Sequence, residues 1–401
     1  MLNTLKRGYQ RTPEDVEGAL RLAAAFRETG QLQQASRTLL RLLDHQPGHP
    51  EALFWLSHQM SLEPDSPALL QLERCWEQGG PGTADERSYV LFALARVREQ
   101  QGRWTEAFGL YQQANQARQQ ALGLLNTDAV LYVEQADLMQ HLDRQLEGLA
   151  DLAASADSGR DLVFLVGLPR CGSTLVETML GQAEGALARG ELRALPKAVR
   201  ETNLLQTLRQ EPLLPEPVAA GLASVGAAYR LDLGSEQAAI SLDKTLTNFL
   251  YLGLIVRIWP QARIVHVERH PLDQILSAWC TRFREGHHYS LALTDLVRVQ
   301  IAYRRLMEHW HAVLPAERLY RCRYEQLVQA PEPESEALAR FCGLRWCESM
   351  LQPQRSTRRV LTASFQQVRQ PIHDRSIGRW RHYAAELEPY AAQLREAGVV
   401  V

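Results

Sequence analysis

The stretch Asp161-Leu-Val-Phe-Leu-Val-Gly167-Leu-Pro-Arg170-Cys171-Gly172-Ser173-Thr174 decides the fold. A short apolar run with no polar alternation is the pattern of a strand buried on both faces, as in a parallel sheet. The run ends at Gly167, and a helical pattern follows Gly172 through Leu175, Val176, Met179 and Leu180. Strand, glycine-bearing loop and helix N-terminus make an anion cradle. The first N–H groups of a helix have no intrahelical partner, and the positive end of the dipole points the same way. Gly167 and Gly172 have the spacing of the nucleotide loop G-x-x-x-x-G-K-[ST]. Ser173 stands where that motif carries its Lys. A kinase or NTPase uses the Lys at the β/γ-phosphates and an acidic strand end for magnesium. The loop therefore reads as a phosphate site without that machinery, with Arg170 as its own cation.

Working outward, Ala262-Arg-Ile-Val-His-Val-Glu268 and Leu319-Tyr-Arg-Cys-Arg-Tyr324 read as further strands separated by helical stretches. Strands alternating with helices predict an α/β domain with a parallel sheet. Glu268-Arg269-His270-Pro271 places an Arg at the carboxyl end of a strand, where open α/β sheets bind ligands, and a Pro in the first turn of the next helix. Ser277 lies on that helix and can donate a hydroxyl to the same anion. Asp243-Lys244-Thr245 precedes an apolar helix. Ser364 to Pro371 and Ser376-Ile-Gly-Arg379-Trp380 form a polar C-terminal segment with Arg and hydroxyl donors. His266, His270, His287 and His288 are candidate bases; His266 is expected to face the core, whereas His287-His288 falls in a loop.

The chain has 401 residues, enough for two domains with their own cores. Residues from about 15 to 150 read as helical throughout. Leu22 to Gly30 with Ala35 resembles Leu94 to Gly102 with Ala107, 72 residues further on. That distance is two periods close to the helical-pair repeat of 34 residues. Leu53, Leu56 and Met60 fill the same apolar positions in a degenerate middle unit, and Pro47 falls where a repeat unit ends. The reading is a tetratricopeptide-like repeat domain at 1–150, serving as a surface for a peptide, a protein partner or self-association, or as a helical cap. Ala153-Ala-Ser-Ala-Asp-Ser-Gly159 is a small polar linker to a second domain at 160–401.

The formal net charge of −2 excludes a generally basic nucleic-acid coat. The sign is split: residues 1–150 carry −5 and residues 151–401 carry +3. Basic residues are almost all Arg, and Lys6, Lys197 and Lys244 are the lysines. A lysine kept in an Arg-rich chain points to a need for a compact point charge. The N-terminus lacks the apolar core of a signal peptide, Phe249–Trp259 is too short to span a bilayer, and the six cysteines show no zinc spacing. A cytoplasmic protein with reduced thiols and no metal is expected.

Six motifs in order resemble a sulfotransferase that uses 3′-phosphoadenosine 5′-phosphosulfate (PAPS). They are Val166 to Glu177, Gly190-Glu191, Asp243 to Phe249, Arg269 to Asp273 with Ser277, Tyr324-Glu325, and Thr362 to Val368. More narrowly, the chain resembles bacterial sulfotransferases that carry tetratricopeptide repeats, relatives of the tyrosylprotein sulfotransferases. The resemblance covers about residues 160–395. It implies an α/β P-loop-like sulfotransferase domain after the helical repeats. It further implies that Arg170, Cys171, Gly172, Ser173 and Thr174 grip the 5′-phosphosulfate, that Arg269 and Ser277 hold the 3′-phosphate, and that Tyr324 lies near the adenosine. Arg379 is a further candidate for cofactor phosphate. Glu191 matches the family's catalytic glutamate, and Lys244 and Ser364 its Lys and Ser beside the bridging oxygen. The chain departs from the tyrosylprotein enzymes at Cys171 and Ser173, and in carrying a single Glu after Gly190.

The implied reaction is in-line sulfonate transfer to a hydroxyl of a peptide tyrosine, a sugar or a small metabolite. Glu191 acts as general base, and Arg170, Lys244 and Ser364 stabilise developing charge. Segments Arg193–Gln210 and Arg282–Ser290 are expected to shape the acceptor pocket. Two other readings compete: a small-molecule or nucleotide kinase, against which the missing loop Lys speaks, and a repeat scaffold with a decayed enzyme domain, against which Glu191, Lys244 and Ser364 speak.

Overall fold

The structure, a computed structural model, describes all residues except 1, 13, 125–127, 148, 150–156, 235, 237 and 357–366. Among the described residues eight helices come first: α1 (Leu2–Arg11), α2 (Val16–Glu28), α3 (Leu32–His45), α4 (Pro50–Gln59), α5 (Pro67–Glu77), α6 (Ala84–Gln100), α7 (Trp104–Ala121) and α8 (Ala129–Glu147). The two similar segments fold alike. Gly30 and Gly102 each adopt a positive φ just after a helix, which lets the chain reverse. Ala35 and Ala107, each one turn into the next helix, are fully buried, and their small side chains let the paired helices approach closely. In the middle unit Leu53 and Leu56 are buried as expected, but Met60 is 46% exposed. It follows the last residue of α4 in an extended conformation and so leaves the helix's apolar face.

The second half contains β1 (Leu162–Val166), α9 (Ser173–Leu180), β2 (Ala186–Gly190), α10 (Ala194–Glu201), α11 (Leu204–Thr207), α12 (Pro215–Leu233), β3 (Ile240–Asp243), α13 (Leu252–Ile258), β4 (Arg263–Glu268), α14 (Pro271–Trp279), α15 (Leu293–Val313), β5 (Leu319–Arg323), α16 (Tyr324–Gln329), α17 (Pro331–Cys342) and α18 (Ala384–Glu396). Among the described residues five strands form one parallel sheet in the order β2-β3-β1-β4-β5. β1, β4 and β5 lie where the apolar runs predict strands. β2 and β3 do not stand out in sequence, because Ala-Leu-Ala-Arg-Gly has weak strand propensity and β3 is four residues long.

Side chains of β1 alternate between two cores. Leu162, Phe164 and Val166 face one, and Val163 and Leu165 the other. The first of these cores runs without a break from Phe164 through Trp259 and Trp310 into Leu39, Leu53 and Phe92 of the N-terminal helices. The helical half therefore shares its interior with one face of the sheet. Polar contacts reinforce the junction. Asp143 of α8 accepts hydrogen bonds from Arg257 (2.6 Å) and His309 (2.9 Å), and Asn115 donates to the Trp279 carbonyl at 3.0 Å. The linker read from sequence lies largely outside the described residues, but its end is anchored. Asp157 accepts from Arg230 Nε at 2.6 Å and from Trp259 Nε1 at 3.0 Å.

Candidate active site

β1 is the switch point of the sheet, since the chain runs to β3 and β2 on one side and to β4 and β5 on the other. The loop after β1 carries Arg170 at φ 72°, a left-handed conformation that costs on the order of 1–3 kcal/mol in a non-glycine residue. Gly172 is also left-handed, and a Cβ there would collide with the ring of Tyr324. Glycine at 172 thus lets Tyr324, the first residue of α16, lie against the loop. Arg170 Nε donates to Ser277 Oγ at 3.0 Å, so the Ser277 hydroxyl keeps its own proton for another acceptor.

Arg269 follows β4 and donates to the Arg170 carbonyl at 3.1 Å and to the Ser376 carbonyl at 2.5 Å. Its guanidinium lies 4.9 Å from the Tyr324 ring centroid. Its Nε is buried and has no hydrogen-bond partner among the described residues, an orphaned donor that suits an anion. Burial, then the charges of Arg269 and Arg379, push Arg170 down to about 10. Such crowding of guanidiniums is relieved by a bound anion.

Glu191 and Lys244 meet. β2 and β3 pair so that Gly190 lies opposite Asp243, and the residue after each strand is a member of the pair. Lys244 Nζ lies 2.7 Å from Glu191 Oε1, with Lys244 1% and Glu191 41% exposed at the side chain. Backbone bonds fix both ends. Lys244 N donates to the Gly190 carbonyl at 2.9 Å, and Glu177 accepts from Gly190 N at 2.8 Å. Asp243 beneath them accepts from Thr245 N (2.8 Å), Tyr229 (3.2 Å) and Asn248 (3.2 Å).

These groups open onto one cavity of about 1660 Å³. Arg170, Gly172, Ser173, Thr174, Glu191, Lys244, Arg269, Ser277 and Arg379 all line it. Four expected residues stand apart. Tyr324 is buried with its ring against Gly172 and does not line the cavity. Cys171 is fully buried, and its N–H turns back to the Leu168 carbonyl at 3.2 Å, so it packs the core while its neighbours face the cavity. Arg379 reaches the cavity wall, but its guanidinium is taken by Glu99, with Nε donating to Oε1 at 2.5 Å and Nη2 to Oε2 at 2.8 Å. Ser364 lies outside the described residues. His287 lines the cavity and bonds Tyr289 at 3.2 Å, and burial holds it below the usual imidazole range. His266 is internal, between His311 (2.9 Å) and Tyr303 (2.6 Å).

Sequence reasoning missed the opposite wall. It comes from the N-terminal helices and includes Arg27, Trp55, His58, Arg96 and Glu99. Arg27 is 4% exposed, with its guanidinium 3.4 Å from the Trp55 ring centroid. The available signal was a charged residue on the apolar face of α2, beside Ala23 and Phe26. Among the described residues twelve Lys or Arg and five Asp or Glu line the cavity. The positive charge is thus concentrated where the whole-chain balance hides it.

Residues 162–348 match the model of the Sulfotransferase family, and residues 90–124 match that of the Tetratricopeptide repeat. The chain is 34% identical over 246 residues to an "Uncharacterized protein" of Aquifex aeolicus (strain VF5), across 58% of this chain and 32% of that one. It is 22% identical over 237 residues to Protein-tyrosine sulfotransferase 1 of Danio rerio, across 55% of this chain and 65% of that one. The match thus spans less than two thirds of either relative's length. Among solved structures, the sulfotransferase domain of the Synechococcus PCC 7002 olefin synthase aligns with a TM-score of 0.43 at 22% identity, covering 60% of this chain and 95% of that one. The sulfotransferase domain of the curacin biosynthetic pathway gives 0.41 at 18%, covering 58% and 96%. The α/β half of this chain thus carries, over residues 162–348, the pattern of the Sulfotransferase family, and the helices before it carry, over residues 90–124, that of a tetratricopeptide repeat.

Proposed function

We propose that this protein transfers a sulfonate group from PAPS to a hydroxyl acceptor, with Glu191 as general base. The observation that carries the reading is the Glu191–Lys244 pair at the carboxyl edge of the sheet, in one cavity with a glycine-bearing anion loop that has no motif lysine. PAPS, when bound, supplies an activated sulfonate on a phosphate leaving group. Arg170 and the N–H groups opening α9 hold the phosphosulfate end, with Gly172, Ser173 and Thr174 lining it. Arg269, through its orphaned Nε, and the Ser277 hydroxyl take the 3′-phosphate. Tyr324 packs beside the adenosine.

In the transfer an acceptor O–S bond forms as the sulfonate's bond to the phosphate oxygen breaks. The acceptor proton goes to Glu191 Oε2, the oxygen that Lys244 does not engage. As Glu191 gains the proton its hold on Lys244 weakens, and the buried ammonium becomes available to the charge growing on the departing phosphate. A desolvated cation of this kind is worth several kcal/mol to a transition state. Ser364 remains assigned to the bridging oxygen, and the acceptor to the class of peptide, sugar or small-molecule hydroxyls. The wide cavity and its helical wall fit any of these.

Calorimetric titration tests the donor, and labelled transfer tests the reaction. Adenosine 3′,5′-bisphosphate should bind at least about tenfold more tightly than ATP–Mg²⁺. Label from PAPS should reach a phenol or sugar from an acceptor panel. Preference for ATP–Mg²⁺ would return the kinase reading.

A further inference from the structure

The cavity's donor side is not closed by the α/β half alone. Residues 375–380 cross it as a strap, and the strap is tied on two sides. On the sheet side, Asp273 of α14 accepts from Gly378 N at 2.6 Å and from Trp380 N at 2.9 Å. Trp380 stacks on His270 at 5.3 Å and 12°, and Arg269 donates to the Ser376 carbonyl. On the helical side, the Arg379 fork meets both oxygens of Glu99, near the C-terminus of α6, and Tyr111 of α7 donates to Glu99 Oε2 at 2.9 Å. Trp104 stacks on His382 at 4.0 Å and 9° just beyond.

We infer that Glu99, a residue of the repeat helices, is a positioning residue for the donor's 3′-phosphate. The link runs from Glu99 to Arg379, along the strap to Ser376, and from the Ser376 carbonyl to the Arg269 guanidinium. A two-bond carboxylate–guanidinium fork fixes direction as well as distance. Glu99 also supplies negative charge beside Arg379 and Arg96, two cations that otherwise repel each other and Arg170. The repeat helices therefore act on donor binding from inside the cavity, in addition to offering an outer surface.

The inference rests on PAPS as donor, and the test separates the two. Calorimetric titration of the full chain uses adenosine 3′,5′-bisphosphate and adenosine 5′-monophosphate, which lacks the 3′-phosphate. Glu99→Gln should weaken the bisphosphate at least about tenfold and the monophosphate by less than about threefold. KM for the donor should rise with kcat nearly unchanged, and the melting curve should stay cooperative. Asp273→Asn, which loosens the strap from its other side, should give the same 3′-selective loss, and it serves if Glu99→Gln does not fold. Unchanged or tighter bisphosphate binding in Glu99→Gln overturns the positioning role. So does equal weakening of both nucleotides. No bisphosphate binding by the wild-type chain overturns the donor reading itself.

Discussion

Lys244 Nζ donates to Glu191 Oε1 across 2.7 Å, from the first residues beyond two adjacent strands. The register of β2 on β3 sets this pairing. A shift of one residue would turn one of the two side chains to the other face of the sheet. The ammonium is sealed and the carboxylate half-exposed, which is the asymmetry expected of a fixed cation serving a base that meets substrate.

Glu191→Gln keeps the shape and removes the proton acceptor. Steady-state assays should show kcat lowered about 10²–10⁴-fold, the usual worth of a general base. Bisphosphate affinity should stay within about threefold of wild type. An unchanged kcat would remove Glu191 from the mechanism.

Lys244→Met preserves the stem and deletes the charge. Its kcat should fall at least about 10²-fold. Residues that act as a unit are strongly non-additive, so the double variant with Glu191→Gln should be no slower than the slower single variant. Multiplicative losses would show two independent roles.

Gly172→Ala forces a side chain into the Tyr324 ring and into a left-handed backbone. Bisphosphate binding should weaken at least about tenfold, with loss of stability of about 1 kcal/mol or more in denaturant melts. Tight binding by this variant would show that the loop and Tyr324 do not hold the donor together.

Asp143→Ala leaves Arg257 and His309 without their shared carboxylate at the junction of the two halves. The cost should be about 3 kcal/mol, as for a buried pair broken on one side. Because the core is continuous, urea unfolding of the wild type should follow one transition by both near- and far-ultraviolet dichroism. Two wild-type transitions would contradict the shared core.

Burial, then the charge of Arg321, pushes His311 from the usual 6.5 down to about 4, and His266 beside it is also held low, by burial first and then by His311. A folded-state pKa below the unfolded one means that the unfolded chain binds more protons between the two values. Stability should therefore be full above pH 6.5 and decline as pH falls from 6.5 toward 4. His311→Gln should flatten that decline in urea melts at stepped pH. A decline of unchanged steepness would assign it to other groups.

The sequence by itself determined the parallel-sheet class, the anion loop and Arg269 at a strand end. Each is a local pattern: an apolar run, a glycine spacing, a residue type beside a Pro. It also marked the helical pairs, because Gly30 with Ala35 and Gly102 with Ala107 recur at a fixed distance. The tertiary structure alone decided the rest. Lys244 finds Glu191 only through the pairing of two short strands with weak propensity, which no period announces. Arg379 looks like a phosphate ligand until α6 brings Glu99 to it, and that contact spans 280 positions of chain. The helical half looks like a separate module until its core is seen to run on, past α12, α13 and α15, into the core on one face of the sheet. An apolar helix face must be buried against something, and here the N-terminal helices that join that core also wall the site.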